Sequence, residues 1–235
     1  LRAREMNVGA DSVFLTRVAI HTSPVLIRAM AHLLAGSAVL VHQGKLPEVF
    51  EAIERHRVTH VYITPSVLRA WLLALPRRHG GFPGLVHMSV GGGSLPAELR
   101  SAAAARITPH LFVSYGSTES GAIARADPAT LRDHPDSAGR VVPWAQVQVV
   151  DASDRPLPAG ETGLLRVRGE EVAGGYFGGG AQTAEAAGKF RGGWFYTGDF
   201  GRITQDGLIF VAGRNDDMVN LGGATVHART VEDAL

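Results

Sequence analysis

The feature that most constrains the fold is the alternation of helix-like and strand-like segments in the first half of the chain. Residues 24–36 carry apolar side chains at helical spacing and end in a glycine, and the short apolar run 37–43 follows them. The alternation continues with a helix at 46–58, a strand at 59–65, a helix at 66–75, a strand at 85–90, a helix at 95–107 and a strand at 110–115. Strands separated by helices in this way predict an α/β fold, in which a parallel sheet is flanked by helices.

After about Asp133 the pattern changes to short strands that are separated by turns rich in glycine and proline. The predicted strands are 145–151, 161–169, 192–199 and 207–213. We therefore predict an α/β subdomain at 1–133 that is followed by a β-rich subdomain at 134–213.

The composition excludes several classes of protein. With 235 residues and 45% apolar content, the chain is long enough to bury a sizeable core. Its 23 basic and 22 acidic residues leave a net charge of +1, so no broad field attracts nucleic acid or an anionic membrane. The absence of cysteine excludes disulfides, thiolate metal sites and cysteine nucleophiles. No apolar run reaches the ~20 residues of a membrane span, and the first residues lack the apolar centre of a signal peptide, so we expect a cytoplasmic protein.

Polar or glycine-rich segments fall where predicted strands end, which is where α/β sheets bind their ligands. "VGGGS", at 90–94, has three glycines before a helix, so backbone amides there can approach a ligand closely. It is equally compatible with a tight turn capped by Ser94. In the β-rich part, "WFYTGD" places Asp199 after a Thr-Gly turn, where its carboxylate can accept hydrogen bonds from two ribose hydroxyls or simply belong to a hairpin loop.

The segment "YGSTES", at 115–120, has the greatest density of polar groups. It offers the flat ring of Tyr115 and hydroxyl donors in Ser117 and Thr118. Glu119 adds a hard oxygen ligand of the kind that suits Mg²⁺ beside a phosphate. Spacing alone also allows an ordinary polar turn.

Taken together, the segments resemble the later core motifs of the acyl-adenylate-forming (AMP-binding) family, which holds acyl-CoA synthetases, luciferases and peptide-synthetase adenylation domains. The matching motifs are, in order, "VGGGSLPAEL", "YGSTES", "DSAGRVVP", "GWFYTGDFGRITQDG" and "GRNDDMVNLGG". The resemblance runs from about Asp11 to Leu235. It implies part of the family's large domain, with the β-rich part as a distorted barrel and residues 214–235 as a hinge and the start of a truncated C-terminal small domain.

The resemblance implies an acyl- or aryl-CoA ligase that works in two steps. A small carboxylic acid attacks the α-phosphorus of ATP and pyrophosphate leaves, and the thiol of coenzyme A then takes the acyl group from the adenylate. Chemistry of this kind depends mainly on positioning and charge neutralisation. The implied cofactors and partners are ATP/AMP, Mg²⁺, coenzyme A and the acid.

Matched to the family position by position, "YGSTES" would carry the nucleotide. Tyr115 would lie along adenine, with Gly116 and Ser117 next to it. Thr118 would bond the α-phosphate and Glu119 would hold Mg²⁺. The resemblance therefore explains why a strand ends in so many polar groups.

Other family positions fall in the later motifs. Asp199 and Arg214 would hold the ribose hydroxyls. Asp216 would be the hinge residue, and Gly222 with Gly223 would approach the thiol acceptor. An aspartate at the hinge is typical of acetyl-CoA synthetase-like members, which favours ligation to coenzyme A.

The acid would bind near the remaining family positions. Gly91, Gly92 and Gly93 match a strand-end segment that lines the acyl pocket and borders adenine. His21 falls where many members have a histidine near the acyl channel, although a packed histidine is an equal alternative there. These segments suit an aryl or a medium-length acyl group without distinguishing the two.

Two elements of the family pattern have no match. The phosphate loop that precedes the histidine region does not appear between Leu1 and His21, and neither Lys45 nor Lys189 matches the catalytic lysine. We therefore expect the central part of a longer synthetase, inactive alone and prone to self-association through exposed apolar surface. The alternatives are a degenerate nucleotide-binding or interaction module without catalysis, or an amino-acid adenylation domain. The second alternative is less favoured because "RVAIHTSPVLIRAM" contains no acid to hold an α-amino group.

Overall fold

The computed structural model describes residues 6–176, 188–214, 218–221 and 224–227. It contains two compact units. The first consists of Leu1–Val113 with Asp127–Arg132, and the second of Ser114–Ala126 with Asp133–Leu235. The predicted divisions after residues 133 and 213 stay predictions.

The first unit contains a parallel sheet. Its strands are β1 Val13–Thr16, β2 Ala38–Val41, β3 His60–Ile63 and β4 His87–Gly91, and β5 Leu111–Ser117 begins in this unit. The spatial order is β2-β1-β3-β4-β5, and β1 pairs in parallel with both β2 and β3, as β3 does with β4. The predicted parallel sheet is therefore confirmed.

Helices connect and cover these strands. They are α1 Ser23–Leu34, α2 Leu46–Arg55, α3 Pro65–Ala74, α4 Ala97–Arg106 and the short α5 Pro128–Asp133. Each of the first three has a proline in its first turn, where the missing amide proton costs no helical hydrogen bond. Thr64 caps α3 by accepting a hydrogen bond from the amide of Val67. None of the helices that the structure describes is long and apolar enough to span a membrane.

The two faces of the first sheet are packed differently. Leu15, Ile63 and Met88 point to one face and form an apolar core with α2, α3 and α4, in which Trp71 is fully buried. The opposite face carries buried polar groups as well as apolar ones and is covered by α1. The polar residues buried here include His32, His60, His87 and Ser89. The second face is therefore stabilised by a hydrogen-bonded polar layer.

The second unit is built from antiparallel strands. They are β6 Gly121–Ala126, β7 Gly139–Val141, β8 Ala145–Val150, β9 Gly163–Gly169, β10 Phe190–Arg191, β11 Trp194–Ile203 and β12 Leu208–Arg214, followed by the hairpin β13 Met218–Leu221 and β14 Ala224–His227. The order is β6-β7-β12-β11-β9-β8, with β10 paired to β11. Leu165, Val167 and Phe195 lie in its core.

The β-rich character of this unit is confirmed, but the expected barrel is not closed. β8 ends the row of strands, and its ladder partner is β9. β6 is already hydrogen-bonded on both edges, to β5 and to β7, so it has no free edge that β8 could join. Closure of a barrel requires the two end strands to pair with each other, so the sheet remains open.

Candidate active site

A tyrosine, a carboxylate and a guanidinium come together in the second unit. The hydroxyl of Tyr115, near the end of β5, donates a hydrogen bond of 2.5 Å to Oδ2 of Asp199 in β11. A terminal nitrogen of Arg214 lies 3.8 Å from the other oxygen of Asp199. Asp199 and Arg214 are cross-strand partners in the β11–β12 ladder, which fixes the pair in register. The structure thus joins two sequence motifs that lie 84 positions apart.

The backbone around Asp199 is shaped by a local irregularity of β11. Pairing with β9 shifts in register between Tyr196 and Phe200. Gly198 has φ +79, a left-handed conformation that favours glycine, and a Cβ there would lie 3.4 Å from the Arg214 guanidinium. The amide of Asp199 donates to Oγ1 of Thr197, which itself donates to the carbonyl of Leu165. The Thr-Gly turn before Asp199 therefore orients its carboxylate.

The ionisation of the Tyr115–Asp199 pair follows from its burial. Burial raises the pKa of Tyr115 well above its usual value, and the charge of Asp199 and the hydrogen bond to it raise that pKa further. Burial also raises the pKa of Asp199, while the Tyr115 hydrogen bond and the charge of Arg214 oppose this effect. The phenol therefore keeps its proton at neutral pH and acts as a donor.

The "YGSTES" segment is a turn closed by its own side chains. The amide of Ser117 donates to the hydroxyl of Ser120 at 3.0 Å, and the amide of Ser120 donates back to the hydroxyl of Ser117 at 3.3 Å. A Cβ at Gly116 would lie 2.0 Å from the carbonyl oxygen of Gly121, so only glycine fits that position. Thr118 is exposed at the tip of the turn. The hydroxyl predicted as a nucleotide donor in Ser117 is therefore engaged in the turn, and that of Thr118 is accessible.

Glu119 is partly buried and hydrogen-bonded. Its Oε1 accepts a bond of 2.6 Å from the hydroxyl of Tyr176, and its carbonyl accepts one of 2.7 Å from the amide of Ala173. Burial raises the pKa of Glu119, but hydrogen bonds to the carboxylate, first that from Tyr176, outweigh this effect and leave the pKa below its ordinary value. The side chain is therefore a carboxylate at neutral pH.

A single carboxylate fits the way that Mg²⁺ binds beside phosphates. Among the residues that the structure describes, no group of three or more acidic or histidine side chains could by itself hold a metal ion. Mg²⁺ commonly takes one or two carboxylates and completes its shell with water and phosphate oxygens. The carboxylate of Glu119 is a hard oxygen ligand of the kind that such a site takes from the protein.

The candidate acid-binding residues lie in the first unit. His21 is exposed in the turn that precedes α1. Gly91 is buried at the end of β4, and Gly92 and Gly93 are exposed directly after it. Gly92 has φ +79, and a Cβ there would contact the hydroxyl of Tyr62 at 3.6 Å. The glycine segment thus exposes backbone that a side chain would obstruct.

The alternative interpretation of this segment, a turn capped by Ser94, is wrong. Helix α4 begins at Ala97, its N-cap residue is Pro96, and no side chain caps it. Three other predicted positions, Asp216, Gly222 and Gly223, lie outside the described residues.

Sequence reasoning missed several residues that shape the site. Tyr176 contacts Glu119 from 57 positions away, and no spacing rule signals that contact. Ser120 and Thr197 lie inside the recognised motifs and could have been found as side-chain partners of neighbouring amides, which is a common role of serine and threonine in turns.

The chain is similar to known proteins of one family. The sequence profile of the family described as AMP-binding enzyme matches residues 2–177. A 2-hydroxy-7-methoxy-5-methyl-1-naphthoate–CoA ligase from Streptomyces carzinostaticus is 31% identical over 98% of the chain and 42% of the relative. A feruloyl-CoA synthase from Amycolatopsis sp. is 33% identical over 92% of the chain and 43% of the relative. The chain thus spans about two fifths of the length of these relatives.

A solved structure shares the fold. O-succinylbenzoate coenzyme A synthetase from Bacillus subtilis, in complex with ATP and magnesium ion, superposes with a TM-score of 0.86 at 23% identity. The match covers 98% of the chain and 47% of that structure.

Proposed function

Because the chain belongs to the AMP-binding enzyme family, we propose that it carries the nucleotide-binding part of an ATP-dependent acid–thiol ligase. The reaction has two steps. A carboxylate oxygen attacks the α-phosphorus of ATP, and pyrophosphate leaves as the acyl-adenylate forms. The thiol sulfur of coenzyme A then attacks the acyl carbonyl, loses its proton, and displaces AMP.

The observation that carries this proposal is the contact between Tyr115 and Asp199. The Asp199 side chain is 16% exposed and that of Arg214 is 50% exposed, so a polar ligand can reach the carboxylate next to a cation. In the proposed complex Asp199 accepts hydrogen bonds from the two ribose hydroxyls and Arg214 adds a donor. The ring of Tyr115, held by its hydroxyl, lies along adenine.

The turn after Tyr115 serves the phosphates. Thr118, at the exposed tip, donates to the α-phosphate, and Gly116 with Ser117 keeps the backbone of the turn close to the nucleotide. Glu119 holds Mg²⁺ through its carboxylate. When bound, the metal ion neutralises charge on the phosphate oxygens, which is a major contribution in phosphoryl transfer.

We propose an aromatic carboxylic acid as the substrate and coenzyme A as the acceptor. The support is the pair of relatives named as a naphthoate–CoA ligase and a feruloyl-CoA synthase. His21 and the segment Gly91 to Gly93 are the proposed acid-side residues. Asp216, Gly222 and Gly223 are proposed for the hinge and for the side that receives the thiol.

The first experiment measures AMP binding to this chain by calorimetry. We expect Asp199→Asn to weaken binding by about 10- to 100-fold, because hydrogen bonds to a charged group contribute about 1.5–3 kcal/mol. Asparagine keeps the shape and can still accept the Tyr115 hydrogen bond. Asp206→Asn is the matched control. Asp206 is a half-exposed carboxylate in the loop between β11 and β12 of the same unit, and it forms an ion pair with Arg140.

Equal AMP affinity in Asp199→Asn and the unchanged chain would remove Asp199 from the ribose site. The reaction itself is tested in the full-length gene product that contains these residues, by pyrophosphate release over a panel of aryl and alkyl acids, with and without coenzyme A. We expect release to depend on an aryl acid and AMP to form stoichiometrically with the thioester. Binding of AMP without acid-dependent release would favour a non-catalytic nucleotide module instead.

A further inference from the structure

We propose that Tyr176 is a positioning residue that orients the carboxylate of Glu119 for the metal–nucleotide complex, an inference that rests on the proposed function. The Tyr176 hydroxyl donates to Oε1 of Glu119 at 2.6 Å, the short distance expected of a hydroxyl that donates to a carboxylate. Ser117 and the backbone amide of Glu119 also donate hydrogen bonds to this carboxylate. The carboxylate is thus held in a defined orientation by several donors, of which the Tyr176 hydroxyl is the one that lies outside the turn.

The ring of Tyr176 is anchored to the core of the second unit. It packs edge-to-face on Phe190, with ring centroids 5.5 Å apart and an interplanar angle of 85°. Phe190 in turn packs on the buried ring of Phe195, with centroids 4.9 Å apart. Edge-to-face pairs of this kind hold aromatic rings in a defined orientation. The donor that reaches Glu119 is therefore supported by a chain of rings, although Tyr176 itself is 47% exposed.

The backbone before Tyr176 is tied to the same turn. The amide of Ala173 donates to the carbonyl of Glu119 at 2.7 Å. The carboxylate of Glu171 accepts a bond of 3.3 Å from the amide of Ala122. Segment 171–176 therefore contacts Glu119 at two points and the start of β6 at a third, so its geometry and that of the carboxylate are coupled.

The chemical consequence concerns metal binding. Ligating carboxylates are oriented by hydrogen bonds from outer residues, and loss of such a partner commonly costs 10- to 100-fold in metal affinity or activity. Without the Tyr176 hydroxyl, the Glu119 side chain is held less firmly and samples orientations of which only some direct the carboxylate at the ion. We therefore expect Tyr176 to affect the Mg²⁺-dependent part of nucleotide binding and to leave the Mg²⁺-independent part unchanged.

The test compares binding of two nucleotides to this chain by calorimetry. AMP is titrated without metal, and ATP is titrated at a series of Mg²⁺ concentrations. Tyr176→Phe keeps the ring on Phe190 and removes only the hydroxyl. Tyr196→Phe is the matched control, because it removes a hydroxyl from another tyrosine of the same unit, one that accepts a hydrogen bond from Arg166.

We expect Tyr176→Phe to raise the Mg²⁺ concentration needed for half-maximal ATP binding about tenfold and to change AMP affinity less than twofold. Tyr196→Phe should change neither. In the double variant with Glu119→Gln, the loss should equal that of Glu119→Gln alone, because Tyr176 acts through the carboxylate. Thermal melting of each variant verifies that it is folded.

The outcomes separate this inference from the proposed function. If Glu119→Gln weakens Mg²⁺-dependent ATP binding and Tyr176→Phe does not, the positioning role is overturned and the metal site stands. If Tyr176→Phe weakens AMP binding as much as Mg²⁺-ATP binding, the residue has only a structural role and the inference is again overturned. If neither variant alters the Mg²⁺ dependence, the role of Glu119 in the proposed function fails with it.

Discussion

Acidification should destabilise the first unit through His32. This histidine is 1% exposed, and its ring stacks on Phe14 at 5.1 Å and meets the edge of His60 at 4.8 Å. Its Nδ1 lies 2.7 Å from the hydroxyl of Ser37, which donates its only proton to the carbonyl of Ser12. Nδ1 must therefore carry the proton and donate, which leaves Nε2 unprotonated in the neutral ring. A second proton would have to be placed on Nε2 among buried rings.

The magnitude follows from the pKa of His32. Burial lowers that pKa from 6.5 to about 4, with a smaller contribution from the charge of His60. Because the folded value lies below the unfolded one, the unfolded chain binds a proton first as the pH falls below 6.5. Stability is therefore complete above about pH 7 and is lost progressively down to pH 4. At about 1.36 kcal/mol per pKa unit, His32 alone lowers the free energy of unfolding by ~2 kcal/mol between pH 7.5 and pH 5.

The assay is urea denaturation of the first unit at pH 7.5 and pH 5. Replacement of Trp144 and Trp194 by phenylalanine leaves the fully buried Trp71 as the only tryptophan and so as a reporter of this unit. His32→Gln removes the titrating group, and His56→Gln replaces an exposed histidine as the control. Burial also lowers the pKa of His60, so only the difference between variants isolates His32. An equal loss of stability on acidification in the His32→Gln and control proteins would refute the reasoning.

Two further outcomes are expected. Leu68→Ala should lower the free energy of unfolding by about 2–5 kcal/mol because Leu68 is fully buried. Leu73→Ala on the same helix should change it by no more than ~0.5 kcal/mol because that side chain is 82% exposed. Urea titration of both variants measures these values, and equal losses would contradict the described core. Met30 and Leu33 are 53% and 61% exposed on α1, so we expect the chain to self-associate through this surface. The double variant Met30→Gln, Leu33→Gln should shift the sedimentation equilibrium toward the monomer. A wild-type chain that sediments as a monomer at all concentrations would contradict this expectation.

Helices that are marked by the spacing of their own apolar residues could be predicted from the sequence. The helical spacing of apolar residues predicts helices at 24–36 and 46–58, and the structure has them at Ser23–Leu34 and Leu46–Arg55. The second helix ends three residues earlier than predicted because Arg57 adopts φ +49, which a continuing helix does not allow. Periodicity identified the element, and the backbone conformation of one residue fixed its end.

Strand β6 was missed because its own sequence has a weak preference for strand. Its sequence, "GAIARA" at Gly121–Ala126, is rich in alanine and glycine, which are depleted in strands. It forms a strand because it pairs with β5 on one edge and with β7 on the other, and Ile123 is buried in the core of the second unit. Pairing on both edges thus overrides the intrinsic preference of the segment.

The candidate site was predicted from motifs, and its contacts were not. Tyr115 and Asp199 were recognised separately, by resemblance to family positions, and nothing in their spacing of 84 residues indicated that they would share a hydrogen bond. The partner of Glu119 was missed altogether, since Tyr176 belongs to none of the recognised motifs. Motifs specify which groups are present, whereas the β11–β12 ladder and the place of β5 in the same sheet decide which of them meet.

The segment "YGSTES" has two interpretations, a polar turn and a proposed nucleotide site. The two apply to different side chains of the segment. Ser117, Ser120 and Gly116 are explained by the turn itself, because their hydrogen bonds and close packing close it. That account leaves the exposed hydroxyl of Thr118 and the carboxylate of Glu119, which accepts hydrogen bonds from Ser117 and from the distant Tyr176, as the groups proposed to meet a ligand. A turn held by its own serines is rigid, and rigidity is what a phosphate donor and a metal ligand require of their backbone. In the proposed function, the residues that close the turn therefore hold Thr118 and Glu119 in place for the nucleotide.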